Sequence, residues 1–221
     1  MTLLKKWLQN VGGMFASRRP LEARFTDVYE NRLWGSDESA SGVGSERNSG
    51  QVIHSLNLLR RMIREYGVRS ISDVPCGDFN WMPILLEEHP EIDYIGYDVV
   101  TPLIRENQRR YPSRQFQVLD ITTEIPRQSD LVFSKDLLNH LSHKDVWAAL
   151  SNMAASNARY VMVTNNDGFD NVELASASTP ASRYLNLFAA PFLMPQGLYS
   201  DHYMIVWERE TLAERLRESV G

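Results

Sequence analysis

The chain of 221 residues has a single cysteine, Cys76, and no excess of positive charge. One thiol closes no disulfide within the chain and cannot supply a zinc site made of several thiolates. The 23 Lys and Arg residues face 28 Asp and Glu residues, so the net charge is −5 and nucleic acid is not generally attracted. No apolar run reaches the ~18 residues of a membrane-spanning helix. These absences favour a cytoplasmic globular protein with no nucleic-acid partner.

Residues 1–24 differ in character from the rest of the chain. Apolar residues recur there at helical spacing, and five Lys or Arg residues against Glu22 give a net charge of +4. A basic amphipathic helix can lie on a membrane surface or dock on protein. We therefore expect an N-terminal appendage over 1–24, in weak contact with a membrane, with a partner or with its own domain. A single domain is expected over 25–221.

From residue 50 onward, short apolar runs typical of strands alternate with helical patterns, which predicts an α/β fold with a parallel sheet between helices. Strands are predicted at 70–74, 92–98, 116–119, 131–133, 160–163 and 203–207. Helices are predicted over 52–66, over 83–88, from 101, from about 144 and over 210–218. Gly67 is expected to end the first helix, and Ser142 to cap the one near 144.

Two segments break this alternation. Residues 35–50 are rich in glycine and serine and are expected to form a mobile loop or a linker. Residues 165–200 combine prolines, glycines and aromatic residues without periodicity, and connections of this length are usually functional or disordered. We expect residues 50–135 to bind a cofactor, and residues 25–49 and 136–200 to form the acceptor side.

Acidic residues accompany the first two predicted strands. Asp73 lies in a strand that runs into a turn with one glycine, Gly77, and Asp98 ends the next strand. Ligands bind at such turns in open α/β sheets, and an acidic residue after the second strand can accept hydrogen bonds from ribose. Asp78 and Phe79 stand where a pyrophosphate-binding turn has glycines, which disfavours a nicotinamide dinucleotide. S-adenosylmethionine is favoured instead, because its ammonium and sulfonium groups suit Asp73 and Asp78.

Four motifs in order resemble those of the class I S-adenosylmethionine-dependent methyltransferases: Asp73-Val-Pro-Cys-Gly-Asp78, Tyr97-Asp98, Leu119-Asp120-Ile121 and Asp130-Leu-Val-Phe-Ser134. The resemblance covers about residues 25–208, and the runs 29–35, 41–45 and 76–81 are similar to a bacterial subgroup of small-molecule or glycan type. It implies the Rossmann-like class I fold, with a mostly parallel central sheet, helices on both faces and S-adenosylmethionine as the cofactor.

The resemblance also implies roles for single residues. Gly77 would pass beside the methionine moiety, Asp98 would hold the ribose, Asp120 would reach the adenine amino group, and Ile121 would flank the ring. The alternative for both aspartates is ordinary turn chemistry at a strand end. Further cofactor contacts are expected from Pro75, Cys76, Trp81 and Ser134. Cys76 is expected to pack as a small residue, because methyl transfer needs no covalent enzyme intermediate.

A candidate base follows the fourth strand. Asp136 and His140 are spaced i and i+4, so they would share a face of a helical turn. A histidine of near-neutral pKa can take a hydroxyl proton, and Asp136 would orient its ring. The alternative for His140 is a packing or capping role. Together with His143 these residues match no strong metal motif, so no metal is assigned.

Acceptor contacts are predicted from Trp34 and from polar residues of the irregular segment 165–200, where a well-capped surface loop is the alternative. These residues are Trp34, Asn165, Arg183, Tyr184 and Asn186. The sequence predicts an enzyme that methylates oxygen, or less readily nitrogen, on a small molecule or sugar. The competing hypothesis is a non-catalytic S-adenosylmethionine-binding protein that docks on a membrane or partner.

Overall fold

The computed structural model describes residues 21–174 and 181–218. The predicted appendage over 1–24 lies outside these residues except for its last four, which begin a helix. The elements in chain order are α1 (Leu21–Glu30), α2 (Gly50–Tyr66), β1 (Ser70–Asp73), α3 (Met82–Glu88), β2 (Asp93–Asp98), α4 (Thr101–Arg110), β3 (Gln115–Val118), β4 (Leu131–Ser134), α5 (His143–Ala155), β5 (Tyr160–Thr164), β6 (Tyr199–Ser200), β7 (Met204–Glu208) and α6 (Arg209–Glu218). Short 3-10 turns cover Val43–Ser45 and Leu138–His140.

The strands form one sheet in the order β3-β2-β1-β4-β5-β7-β6. Strands β1 to β5 are parallel, whereas β7 runs antiparallel to both β5 and β6. The mostly parallel α/β sheet predicted from the sequence is therefore confirmed. The chain order of the strands reverses between β1 and β4, and such a reversal opens a crevice for ligands beyond the carboxyl ends of the strands.

Helix boundaries follow the expected local chemistry. The Ser49 side chain accepts a hydrogen bond from the Val52 N–H at the start of α2, and Gly67 ends that helix with a positive φ of 67°. The Ser142 side chain accepts from the Asp145 N–H and caps α5 as predicted. Helix α1 and the two-residue strand β6 were not predicted, because neither has a long apolar repeat.

The sheet is buried on both faces, which explains the continuous apolar runs of its central strands. Val132 and Val161 pack with Leu150 of α5 on one face. Phe133 and Met162 pack with Leu59 of α2 on the other. Within the two described ranges, no helix has the length and apolar character needed to cross a bilayer.

Candidate active site

A cavity lies at the carboxyl ends of the parallel strands, at the crevice that the topology predicts. Its lining includes residues directly after β1, β2, β3 and β4, namely Val74, Val99, Leu119 and Lys135. Among its described lining residues are five aspartates, against one lysine and one histidine. The wall of the cavity is thus strongly acidic, an environment that attracts cationic ligands.

Asp73 at the end of β1 is a buried carboxylate with one oxygen free. The Tyr94 hydroxyl donates to Asp73 Oδ2 over 2.7 Å, while Oδ1 has no hydrogen-bond partner among the residues that the structure describes. Burial raises the pKa of Asp73 to about 8. A cation placed at Oδ1 would stabilise the ionised form, so this oxygen is suited to a positively charged ligand group.

Asp98 at the end of β2 faces the turn that follows β1. Its Oδ1 accepts from the Val100 N–H at 3.0 Å, and its Oδ2 accepts from the Gly77 N–H at 3.2 Å. Burial raises the pKa of Asp98 to about 6, although these backbone donors lower it in part. Gly77 and Asp98, which the sequence analysis predicted to contact the cofactor, are therefore in direct contact with each other.

Asp120 after β3 lines the cavity and also shapes its own turn. Its Oδ1 accepts from the backbone N–H of Thr122 at 2.9 Å and from the hydroxyl of the same residue at 2.7 Å. The neighbouring Ile121 side chain is buried and lines the same cavity. Turn chemistry and a place in the cavity, which the sequence left as alternatives, occur together here.

The loop over residues 36–49 is docked on the first motif, so the structure does not bear out the expectation of a mobile loop or linker. Asp78 accepts hydrogen bonds from the Ser39 hydroxyl at 3.0 Å and the Ala40 N–H at 2.7 Å. Gly77 has a φ of +54°, and a Cβ on it would lie 2.3 Å from Ser41 Oγ. The Asp78 carboxylate thus holds this loop over the cavity. The sequence analysis predicted only a contact between Asp78 and the cationic groups of the cofactor.

Asp136 does not orient His140, and that prediction was wrong. The two residues are not on an α-helix, because Asp136 has a φ of +54° and precedes the short turn Leu138–His140. The Asp136 carboxylate instead lies 2.6 Å from Lys135 Nζ and accepts from the Tyr203 hydroxyl at 3.1 Å. A positive φ at a residue other than glycine is strained, and strain of this kind clusters at functional sites.

His140 lines the cavity and is held by its own partners. Its Nδ1 lies 3.0 Å from the Ala181 carbonyl oxygen, and its ring packs against the Trp34 ring at a centroid distance of 5.0 Å. The contact to a carbonyl assigns the proton to Nδ1, which leaves the lone pair on Nε2. Burial lowers the pKa of His140, so its ring is neutral at pH 7. A neutral imidazole with a free Nε2 lone pair is chemically able to accept a proton.

Lys135 is a cavity residue that the sequence reasoning missed. Its side chain is 4% exposed, and its Nζ donates to the Gly44 carbonyl at 2.8 Å and pairs with Asp136. Lysine is almost never buried without a partner. The sequence did contain an indication of this. Lys135 directly follows the apolar strand Leu131–Ser134, and a side chain at the end of a buried strand is not expected to be solvated.

Neither protein-family models nor curated proteins give a match to this sequence. Among solved structures, magnesium protoporphyrin IX methyltransferase (ChlM) from Synechocystis PCC 6803 with bound SAH has a TM-score of 0.54 and 12% identity, over 84% of this chain and 95% of that chain. A TehB-like SAM-dependent methyltransferase from Corynebacterium glutamicum has a TM-score of 0.47 and 18% identity, over 67% and 76%. The methyltransferase domain of bacterial CtHen1 has a TM-score of 0.45 and 14% identity, over 51% of this chain and 65% of that one.

The chain has the class I methyltransferase fold. The similarity to ChlM extends over most of both chains. In the sheet of the present chain, β7 lies next to β5 and runs antiparallel to it. These two findings confirm the fold predicted from the motifs. The present chain spans 65% of the length of the CtHen1 domain.

Within the methyltransferase fold, most of the predicted cofactor residues line one cavity. Besides the aspartates, Pro75, Cys76 and Trp81 do so. Burial raises the pKa of the Cys76 thiol, so it stays protonated and packs, as expected. Ser134 is an exception, because it is buried at the end of β4 and is not part of the described cavity lining.

The predicted acceptor residues separate in the structure. Trp34 lines the cavity, whereas Asn165 is fully buried and its Oδ1 accepts from the Leu187 N–H at 2.7 Å. Asn186 accepts from the Phe188 N–H, and Tyr184 stacks on Phe169 at the surface. These three residues lie in the long connection between β5 and β6, and the cavity lining does not include them. Arg183 also lies outside this lining but adjoins the turn that carries His140.

Proposed function

We propose that the chain is an S-adenosylmethionine-dependent methyltransferase that methylates a hydroxyl group of a small molecule or sugar. The observation that carries this proposal is the convergence of Asp73, Asp98 and Asp120 on one acidic cavity of a class I methyltransferase fold. The similar structure of ChlM, a methyltransferase with bound SAH, supports the same reaction type.

The residues of the cavity fit the cofactor group by group. Asp73 Oδ1 suits the ammonium of the methionine moiety, since it is buried and has no hydrogen-bond partner in the described part of the chain, while the Tyr94 hydroxyl donates to Oδ2 and fixes the carboxylate. Asp98 offers the remaining lone pairs of its two oxygens to the ribose hydroxyls. Leu119 and Ile121 provide apolar walls next to Asp120, an arrangement that suits a purine ring with an exocyclic amino group.

When bound, the cofactor supplies a methyl carbon that its sulfonium activates for in-line displacement. The chain must then align the acceptor, exclude water and accept a proton. Neutral His140 is our candidate for the proton acceptor, with Nδ1 held by Ala181 and Nε2 carrying the lone pair. Because a neutral hydroxyl is a poor nucleophile, a base of this kind favours oxygen as the methylated atom.

The shape of the site favours a small acceptor. Phe25 of α1 packs edge-on to His140 at a ring centroid distance of 6.2 Å, and Trp34 packs on the same ring from the following segment. The loop over 36–49 is fastened above the first motif through Asp78. Aromatic walls and a fastened loop enclose the cavity around His140, which favours a small molecule or one sugar unit as the acceptor.

Isothermal titration with S-adenosylmethionine and S-adenosylhomocysteine tests the cofactor assignment, and NAD⁺ serves as the adenosine-containing control. We expect binding of the first two and none of the third. Methyl incorporation from labelled cofactor into small-molecule extracts then separates an enzyme from a protein that only binds the cofactor. Absence of binding to both sulfur compounds would remove the proposed function.

The contacts predicted for residues 1–24 and the cytoplasmic localisation stay predictions. Co-sedimentation of the chain with anionic vesicles and with neutral vesicles tests the membrane contact. Anionic lipid should retain more protein if the basic segment lies on the surface.

A further inference from the structure

Arg183 presents a guanidinium group that makes no hydrogen bond to the described part of the chain. Its Nε, Nη1 and Nη2 atoms are each shielded from solvent and have no hydrogen-bond partner within residues 21–174 and 181–218. A shielded cation without a partner costs stability, and arginine is the residue that proteins use for planar recognition of carboxylate and phosphate groups. The group therefore calls for a ligand of opposite charge.

The position of Arg183 links it to the candidate base. Its backbone N–H donates to the Asn139 carbonyl at 3.1 Å, and two residues earlier the Ala181 carbonyl lies 3.0 Å from His140 Nδ1. Residues 181–183 thus run beside Asn139 and His140. Burial is the main cause that lowers the pKa of His140 and of His143, and the positive charge of Arg183 lowers both pKa values further, in keeping with a guanidinium near the two rings.

Two further buried polar atoms near this turn lack partners in the described part of the chain. They are Asn139 Oδ1 and His143 Nε2. The nearby Glu173 carboxylate attracts Arg183 through its charge but makes no hydrogen bond to it, since the Glu173 oxygens accept from the backbone N–H groups of His143 and Leu174. Several unsatisfied polar side chains around one turn are rare in a folded protein and need an explanation.

We propose that Arg183 binds an oxyanion of the methyl acceptor, a carboxylate or a phosphate group, and so holds the acceptor hydroxyl at His140. This inference rests on the proposed function and gives its substrate class as a hydroxylated acid or phosphate ester. The guanidinium can bind such a group through two parallel N–H donors. Asn139 Oδ1 is then available to accept from a second hydroxyl of the same molecule.

Thermal melting with simple anions tests the site without knowledge of the acceptor. Sodium phosphate and sodium acetate are each titrated at constant ionic strength against sodium chloride, with the wild type, Arg183→Met, Arg183→Lys and the control Arg64→Met. Arg64 lies in the last turn of α2 and is exposed, so its replacement matches the change in net charge.

We expect phosphate or acetate to raise the Tm of the wild type and of Arg64→Met, to raise that of Arg183→Lys less, and to leave Arg183→Met unchanged. Without added anion, Arg183→Met should melt at or above the wild-type temperature, because it removes an unpaired charge. A structural arginine would give a lower Tm instead. Equal anion effects in wild type and Arg183→Met, or none in either, would overturn the proposal. The phosphate and acetate arms distinguish the two kinds of acceptor.

The second readout uses the methylated product. Labelled product formed from extracts should bind an anion-exchange resin at neutral pH, and Arg183→Met should form at least tenfold less while binding S-adenosylmethionine as the wild type does. A product that passes the resin would overturn the anionic acceptor and leave the methyltransferase intact. Failure of the wild type to bind the cofactor would overturn the proposed function, whereas the melting series judges the anion site by itself.

Discussion

The backbone N–H of Gly77 donates to Asp98 Oδ2 over 3.2 Å and joins the turn after β1 to the end of β2. The second oxygen of the same carboxylate accepts from Val100, so Asp98 both orders the turn and faces the cavity. A carboxylate oxygen can accept more than one hydrogen bond. A ribose would therefore meet an acceptor whose position is already fixed by the protein.

Asp98→Asn should weaken S-adenosylmethionine binding by about 1.5–3 kcal/mol, because a hydrogen bond to an ionised group is lost. That loss corresponds to roughly a tenfold to a hundredfold higher Kd in titration. Asp170→Asn is the matched control, since Asp170 is exposed on the loop after β5. If both variants bind like the wild type, Asp98 does not contact the cofactor.

Asp73 should make the ligand-free protein less stable as the pH rises. Its pKa is about 8 in the folded protein and about 3.9 in an unfolded chain, so between these values the folded state binds more protons. The contribution is complete below about pH 4 and is lost as the pH passes 8. Between pH 6.5 and 8.5, above the pKa of about 6 of Asp98, the Tm should fall.

The variant Asp73→Asn keeps an acceptor for Tyr94 and should make the Tm less dependent on pH. At high pH its Tm should be higher than the wild-type Tm by about 2–4 °C for each kcal/mol gained in the free energy of unfolding. Asp170→Asn should keep the wild-type slope. A Tm that is independent of pH in the wild type, or an equal slope in Asp73→Asn, would show that Asp73 ionises normally.

Gly77→Ala should impair cofactor binding through the loop as well as through the backbone. The new Cβ would meet Ser41 Oγ, and the φ of +54° adds about 1–2 kcal/mol of strain. Gly35→Ala isolates the strain, since Gly35 has a φ of +63° with nothing within 4 Å of its Cβ position. Chemical denaturation should show a larger loss for Gly77→Ala. Because Ser41→Gly by itself removes the hydrogen bonds between Ser41 Oγ and Asp78, the loss from Gly77→Ala is also measured in a Ser41→Gly background, where it should be smaller than in the wild type. Equal losses in the two backgrounds would argue against the steric contact.

His140→Ala should lower turnover by about 10²–10⁴-fold and leave S-adenosylmethionine affinity nearly unchanged, if His140 is the general base. His140→Gln should not restore proton removal, although it can keep a hydrogen bond to Ala181. His202→Ala, at an exposed position, controls for loss of an imidazole. Stability is measured in parallel. Proportionate losses of Tm, binding and turnover would identify a structural histidine instead.

Asp136 and His140 should be only weakly coupled. Burial lowers the pKa of His140 and the charge of Asp136 raises it, but Asp136 pairs with Lys135 and Tyr203 and makes no hydrogen bond to His140. The losses of turnover in Asp136→Asn and His140→Ala should therefore come close to multiplying in the double variant. The kcat values of the four proteins form the test. If the loss of kcat in the double variant is clearly smaller than the product of the two single losses, Asp136 and His140 act together as a catalytic dyad, although the structure shows no hydrogen bond between them.

Local signals account for the parts of the fold that the sequence predicted. The sequence predicted the amphipathic repeat of α2, its end at Gly67 and the cap at Ser142. Each of these features depends on residues within one or two helical turns, so a local pattern is sufficient to predict it. The apolar runs of β4 and β5 are similarly decisive, because both faces of these strands are buried.

Long-range contacts account for what was missed. Asp78 hydrogen-bonds Ser39, which is 39 positions away, and no local pattern in a glycine- and serine-rich segment predicts such a contact. Asn165 satisfies the backbone of Leu187, 22 positions away, so a polar residue that suggested an acceptor contact proved to be internal support. For Asp136, helical spacing was assumed where the backbone takes a positive φ. Around that conformation Asp136 contacts Thr164 and Tyr203, which lie 28 and 67 positions away in the sequence.

The bond between Lys135 Nζ and the Gly44 carbonyl spans 91 positions of sequence. During synthesis, the segment that covers the cavity emerges well before the lysine that fastens it. Closing a loop of that length carries an entropic cost that is recovered only once β1 and β4 have paired. Fastening of this cover therefore requires the chain up to Lys135, and a nascent chain that ends before it has β1 and β2 without a complete ligand site.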